Sequence, residues 1–261
     1  VLVHLSGLIA HADHAAKGHH QTPVKTIAER YHDCCFLFAK IGGLSRLVND
    51  NSVDPHAMMN VLQRMFDRFD ALADMFGVQK VRKTANEYYL VAAGLPNTKL
   101  LPSTEDRAIG IAGFGFAMIN IMHIVNLELE QYGINFTCQV GIHSGDAIAG
   151  IIGHKTFQYD LCGDAVNTAA RMCSTSLPGR VNLSQATYEL LRHRFDAEAR
   201  GEIQVKGKGL MQTYFLHNAP PGAVSSQLAL ALRRTDDREQ ADEQPPLGHV
   251  DGAQDPDQEA S

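Results

Sequence analysis

The sequence predicts an α+β domain, a mixed sheet with helices packed on it. Three observations predict this class. Tyr31–Ile41 is an apolar block without clean alternation, two later segments show helical periodicity opened by capping residues, and Phe136–Ile142 alternates apolar with polar or small residues. The first suits a strand buried on both faces, the second amphipathic helices, and the third a half-buried strand. With 261 residues, 44% of them hydrophobic, the chain can bury a full core. One large domain is expected over residues 31–218, between a lead-in at 1–30 and a tail at 219–261.

The elements follow in order. Residues 1–30 carry five of the thirteen histidines, with His11 and His14 at helical spacing. A metal site there lacks a supporting carboxylate or cysteine cluster, so a polar lead-in, helical or flexible, is the preferred reading. Asp54-Pro55 reads as an N-cap with proline at the first helical position, and Met58, Val61, Leu62, Met65, Phe66, Phe69 and Leu72 then keep helical spacing up to Gly77. This Met and Phe stripe is core rather than a cofactor box. Residues 78–93 read as two short strands around Ala85-Asn86-Glu87. Ser103 and Asp106 resemble a capping box opening a long helix to about Gln131. Within it Gly110, Gly113 and Gly115 lower helix propensity and point to close packing.

After the Phe136 strand, a second strand at Ala147–Ile152 is expected to close a hairpin around Ser144-Gly145-Asp146. Then come a helix bearing Asn167 and Arg171, a strand at Arg180–Ser184, a short helix at Gln185–Arg192 and two final strands. Helices on one face of the sheet complete the expected architecture. The tail is acidic and rich in Pro and Gln, and reads as solvated with one short helix around Ser226–Arg233.

Composition excludes some partners. A formal net charge of −6 argues against a nucleic-acid binder, which needs a basic face to release counterions. No apolar run is expected to cross a bilayer, and no signal peptide is visible, so no membrane contact is expected of this segment. Five cysteines without a Cys-x-x-Cys pair suit a reducing compartment, and a cytoplasmic location follows as an expectation. The chain begins at Val1, which leaves room for a larger, membrane-anchored parent.

The most informative stretch is Tyr159–Arg171. Asn167 and Arg171 share one helix face, one turn apart, just beyond a turn bearing Asp160 and Asp164. A guanidinium beside a neutral amide suits a polyphosphate and a ribose, although a surface helix carries the same pair by chance. The surrounding motifs decide. Phe36–Gly43, Lys83–Tyr89, Ala93–Pro96, Val140–Gly145, Tyr159–Arg171 and Val205–Gly209 occur in the order and spacing in which the chain resembles the catalytic domain of class III nucleotidyl cyclases.

That resemblance implies a ferredoxin-like mixed sheet and a site between two cyclase domains. One domain contributes two aspartates for Mg²⁺ or Mn²⁺, and the other reads the base and supplies an Asn and an Arg for the transition state. By resemblance Asn167 and Arg171 are the catalytic pair, Lys83 and Asp160 read the purine, and Lys206 and Lys208 hold the β- and γ-phosphates. Lys and Asp match the N1 acceptor and 6-amino donor of adenine and mismatch guanine, which favours ATP.

The chain departs from the pattern at the metal site, where Lys40 and Glu87 occupy the two aspartate positions. An ammonium has no lone pair for Mg²⁺ and repels it, so the preferred reading pairs Lys40 with Glu87 as a fixed charge. His143 is read as structural, and Cys162 as packing. The chain is therefore expected to be one half of a heterodimeric adenylyl cyclase, inactive alone, with ATP and a metal-bearing second cyclase domain as partners. A catalytically inactive pseudocyclase that binds nucleotide or a partner domain is the alternative, and a guanylyl cyclase half a lesser one.

Overall fold

A computed structural model of the chain describes residues 27–44, 54–83, 88–130, 133–152, 158–218, 224 and 226–233. The first element is β1 (Ile27–Gly42), followed by α1 (Pro55–Met75), β2 (Gln79–Lys83), β3 (Tyr88–Ala93), α2 (Thr104–Leu129), β4 (Thr137–Ile152) and β5 (Gln158–Cys162). Then come α3 (Asp164–Ser174), β6 (Val181–Ser184), α4 (Gln185–Leu191), β7 (Ala197–Val205) and β8 (Gly209–Leu216), with residues 226–233 helical. The sheet has the order β2-β3-β1-β4-β6-β8-β7, with β5 paired to β4. All pairings are antiparallel except β4 with β6, so the sheet is mixed.

Local chemistry sets the helix ends. The Asp54 side chain accepts from Ala57 N at 2.9 Å with Pro55 in the first turn, and Gly77 leaves α1 at φ +66°. Ser103 and Asp106 form a reciprocal capping box, as their spacing predicts. The α2 glycines make room. A Cβ on Gly113 would lie 2.6 Å from Phe76, and one on Gly110 would lie 3.0 Å from the Phe76 carbonyl. By length and composition α2 could cross a bilayer, contrary to the expectation from sequence; in the fold it is a core helix, with two-thirds of its most apolar window buried.

The sheet separates two cores. On one face Cys35, Leu37, Ala39 and Ile41 of β1 join Tyr89, Val91, Val140 and Ile142 under α1 and α2. On the other, Cys34 and Phe36 join Leu90, Ala92, Ala147 and Ala149 beneath Ala165, Val166 and Ala169 of α3. The expectation of helices on one face is thus corrected, since α3 covers the opposite side. The glycines of β4 explain how. A Cβ on Gly141 would come within 1.8 Å of Cys173 N, so the backbone of α3 rests on a strand with no side chain between them.

The expected hairpin at Ser144-Gly145-Asp146 is also corrected, because β4 runs unbroken through it. Those residues look like a turn but serve packing. A Cβ on Gly145 would meet Ala165 Cβ at 3.0 Å, and Asp146 accepts from Asp33 N at 3.1 Å and pairs with His32 at 2.8 Å. Opposite, β1 carries a register shift between Tyr31 and Cys34, with Asp33 at φ +55°. Arg107, almost fully buried, spans this irregularity by donating to the carbonyls of His32, Asp33, Leu101 and Pro102. Strand β1 also begins at Ile27, so residues 27–30 belong to the sheet rather than to a lead-in.

Gly141→Ala is expected to cost about 3 kcal/mol or more, because the added methyl meets backbone that cannot rotate away. Urea unfolding of the two proteins checks this, and equal midpoints would contradict the seating described.

Candidate active site

Helix α3 gathers the candidate residues. Its buried side is Ala165, Val166, Thr168, Ala169, Met172 and Cys173, which leaves Asp164, Asn167 and Arg171 along the outer side. Asn167 is exposed and Arg171 half-buried, and neither side chain has a hydrogen-bond partner among the described residues. An amide and a guanidinium left unpaired side by side are available to an external oxyanion and hydroxyl.

Both ends of α3 are held. At its C-terminus the buried Asn182 donates to Met172 O at 2.8 Å, and Arg200 donates to Thr175 O at 2.9 Å and Asn182 Oδ1 at 3.2 Å. The Arg200 guanidinium stacks 4.1 Å from the Phe215 ring, with Arg180 at 4.6 Å from the same ring. At its N-terminus Asp164 pairs with Lys208 of the β7–β8 turn. Lys206, in the same turn, is exposed and has no partner among the described residues. The two lysines of this turn are therefore not equivalent.

The remaining candidates surround the helix. Asp160 is half-buried on β5, and its Oδ1 accepts from Leu161 N at 2.9 Å. Strand β2, which carries Lys83, approaches β5 without pairing with it, since β2 pairs with β3 and β5 with β4. Thus the two base-reading candidates sit on strands that approach each other, although the Lys83 side chain lies outside the described residues. Cys162 is exposed two residues beyond Asp160. Lys40 lies on β1 between Tyr88 and Gln139, on the α3 side of the sheet near Cys173. Burial pushes the Cys173 thiol up to about 12, partly offset by the Lys40 backbone and charge.

Glu87 lies outside the described residues, and with it the pairing expected of Lys40. Among the described residues no group of three or more His, Cys, Asp or Glu could hold a metal ion. Lys40, which the resemblance sets at the first aspartate position, offers no lone pair to a divalent cation.

His143 adds a buried polar layer below the site. Its Nδ1 shares a hydrogen bond of 2.7 Å with Ser184, and Ser184, Thr187, Ser144 and Cys35 continue as a connected chain. Burial, aided by the Lys208 charge and opposed by Asp164, lowers the His143 pKa from 6.5 to about 4. At neutral pH it is an uncharged prop, which agrees with the structural role read from sequence. Sequence reasoning missed Asp164 and Ser184 as functional neighbours. The only signal for Asp164 is a carboxylate at a helix start, and its partner is 44 residues away.

The family comparison adds to this geometry. A family described as "Adenylate and Guanylate cyclase catalytic domain" matches residues 6–218. The chain belongs to this family of class III nucleotidyl cyclases. This cyclase domain is 34% identical over 202 residues to an adenylate cyclase of Mycobacterium tuberculosis, covering 76% of this chain and 43% of that protein. It is 36% identical over 194 residues to the rat guanylate cyclase soluble subunit beta-2, covering 74% and 27%. It therefore spans less than half the length of these relatives. Among solved structures, the guanylate cyclase domain of RhGC from Catenaria anguillulae in complex with GTP is 30% identical, with a TM-score of 0.62 over 73% of this chain and 99% of that one. The adenylyl cyclase CyaB from P. aeruginosa, 23% identical, shares the fold with a TM-score of 0.67 over 74% and 97%.

The pH dependence of stability follows from His143. Its native pKa lies below the unfolded value, so between pH 6.5 and about 4 the unfolded chain takes up a proton that the native one refuses. Stability is lost as the pH falls through that window. His143→Asn is expected to remove about 1–3 kcal/mol of this loss. Urea titrations of both cyclase domains at pH 7 and pH 4.5 check it; parallel losses would refute a neutral buried His143.

Proposed function

We propose that this chain is one half of a heterodimeric adenylyl cyclase that converts ATP into 3′,5′-cyclic AMP and pyrophosphate. The observation that carries the proposal is the contrast between two parts of one surface. Asn167 and Arg171, on the outer side of α3, have no side-chain partner among the described residues, whereas Lys40 stands where the resemblance expects a metal carboxylate. The chain thus offers transition-state groups and, among its described residues, no metal ligand set.

In this reading a second cyclase domain, in the same polypeptide or another, brings the carboxylates that hold Mg²⁺ or Mn²⁺. Such ions supply Lewis-acid stabilisation of the phosphates. This chain does the rest of the positioning. The Asn167 amide hydrogen-bonds the ribose and aims its 3′ oxygen at the α-phosphorus. The Arg171 guanidinium bonds the phosphate oxygens and meets the charge that develops as the bond to pyrophosphate breaks. Lys206, free of any partner among the described residues, reaches the terminal phosphates. Asp160 accepts from the adenine 6-amino group and Lys83 donates to N1, which disfavours GTP.

Two other readings remain distinct in outcome. A pseudocyclase, favoured by the fixed charge of Lys40, would bind nucleotide or a partner domain without turnover. A guanylyl cyclase half is favoured by the likeness to the rat soluble subunit and to the GTP-bound domain. We also propose a cytoplasmic location for this domain.

The test is product formation from ATP and GTP with Mn²⁺, by the chain alone and mixed with a cyclase half bearing both metal aspartates. Cyclic AMP from the mixture only is the expected result. Asn167→Ala should then lower its kcat by about 10²-fold or more, the scale for losing one preorganised transition-state donor. Dimerisation without product would favour the pseudocyclase, and product from GTP alone the guanylyl reading. Asp160→Ala should reduce the preference for ATP over GTP by about 10-fold, measured as the ratio of kcat/KM values; an unchanged ratio would remove Asp160 from base reading.

A further inference from the structure

We propose that Asp164 is a positioning residue for phosphate binding, acting through Lys208 to hold the β7–β8 turn beside the outer side of α3; this rests on the cyclase reading above. Asp164 is the first residue of α3, and both of its carboxylate oxygens take the Lys208 ammonium. The helix N-terminus favours a negative charge there. The Lys208 side chain is 26% exposed and that of Asp164 79%, so the lysine is laid down on the protein towards a carboxylate that faces water.

The turn has little else to fix it. Gly207 and Gly209 have φ +77° and +79°, and a Cβ built on either meets nothing within 4 Å. Its internal tie is Lys208 N to Val205 O at 3.0 Å. Two glycines in open space make a hinge, and the ion pair crosses from that hinge to α3. Asp164, Asn167 and Arg171 follow the i, i+3, i+7 spacing of one helix face. The pair therefore sets how far Lys206 stands from Arg171, two cations on this side of α3 that have no partner among the described residues.

It also settles a charge problem. A bare carboxylate at the start of α3 would repel an incoming polyphosphate. Lys208 neutralises it, and Lys206 remains to bind the anion. On this account Lys208 serves mainly through Asp164, and the division of labour in the Lys-Gly-Lys-Gly turn is unequal.

The test uses the full chain in two formats. With a metal-bearing cyclase half, KM for ATP is measured for Asp164→Asn, Lys208→Met, the two combined, and the exchanged pair Asp164→Lys with Lys208→Asp. Each single change is expected to raise KM about 10-fold, the scale of a modest misplacement of a binding group. The combined variant should be no worse than either single one, and the exchanged pair should recover most of the loss. Lys206→Met should absorb most of the effect of Asp164→Asn, because the turn is held in place for that lysine. In the chain alone, Asp164→Asn should speed hydrogen exchange at the amides of residues 206–209 and weaken inorganic tripolyphosphate binding by calorimetry.

An unmoved KM together with unmoved tripolyphosphate affinity would overturn the proposal. So would independent, multiplying effects of Asp164→Asn and Lys208→Met. An inactive heterodimer whose chain still loses tripolyphosphate affinity in Asp164→Asn would uphold the positioning role and discard the cyclase reading. An active heterodimer indifferent to Asp164 would do the reverse.

Discussion

Everything that concerns the candidate site depends on the contact between α3 and β4, where helix backbone meets strand backbone across Gly141. The approach is close enough that the smallest side chain would displace Cys173 N. Gly145 repeats the device under Ala165, and small residues on both sides, Ala147, Ala149 and Ala169, continue it. A helix seated on atoms that have no rotamers is fixed more firmly than one seated on long side chains. Asn167 and Arg171 inherit that rigidity, which is what a preorganised set of donors requires.

The polar and charged groups around α3 divide by task. Asn182 and Arg200 satisfy carbonyls at its C-terminal end, where orphan acceptors would otherwise face the interior. Asp164 and Lys208 fix its start, and His143 supports the same corner without adding charge. Every group that holds the helix is already bonded within the chain. Asn167, Arg171 and Lys206 have no side-chain partner among the described residues, and this difference separates scaffold from site more clearly than exposure alone.

What was legible in the sequence was local. Asp54 with Pro55, and Ser103 with Asp106, announce their helices because a cap is complete within four residues. The α+β class followed from periodicity, and the candidate set around α3 from motif order and resemblance. Ser144-Gly145-Asp146 misled because turn chemistry and close packing call for the same small and polar residues. There the tertiary demand of Ala165, His32 and Asp33 decided the outcome. The face occupied by α3 was misread for a related reason: an amphipathic helix reveals that it has a buried side, not which side of a sheet receives it. The Asp164–Lys208 pair joins distant residues with no shared pattern, so only the fold could reveal it.

The strand order has a consequence for how the protein is made. β8, the last strand in the chain, lies between β6 and β7. During synthesis β7 therefore emerges with no neighbour to pair with, and Arg200 waits for the Phe215 ring on which it stacks. The turn bearing Lys208 closes only when Gly209–Leu216 has left the ribosome. A nascent chain halted before Gly209 carries Asn167 and Arg171 on a helix that Asn182 already holds at its C-terminal end but whose Lys208 and Arg200 ties are not yet backed by β8, so the surface that meets a nucleotide matures at the end of translation.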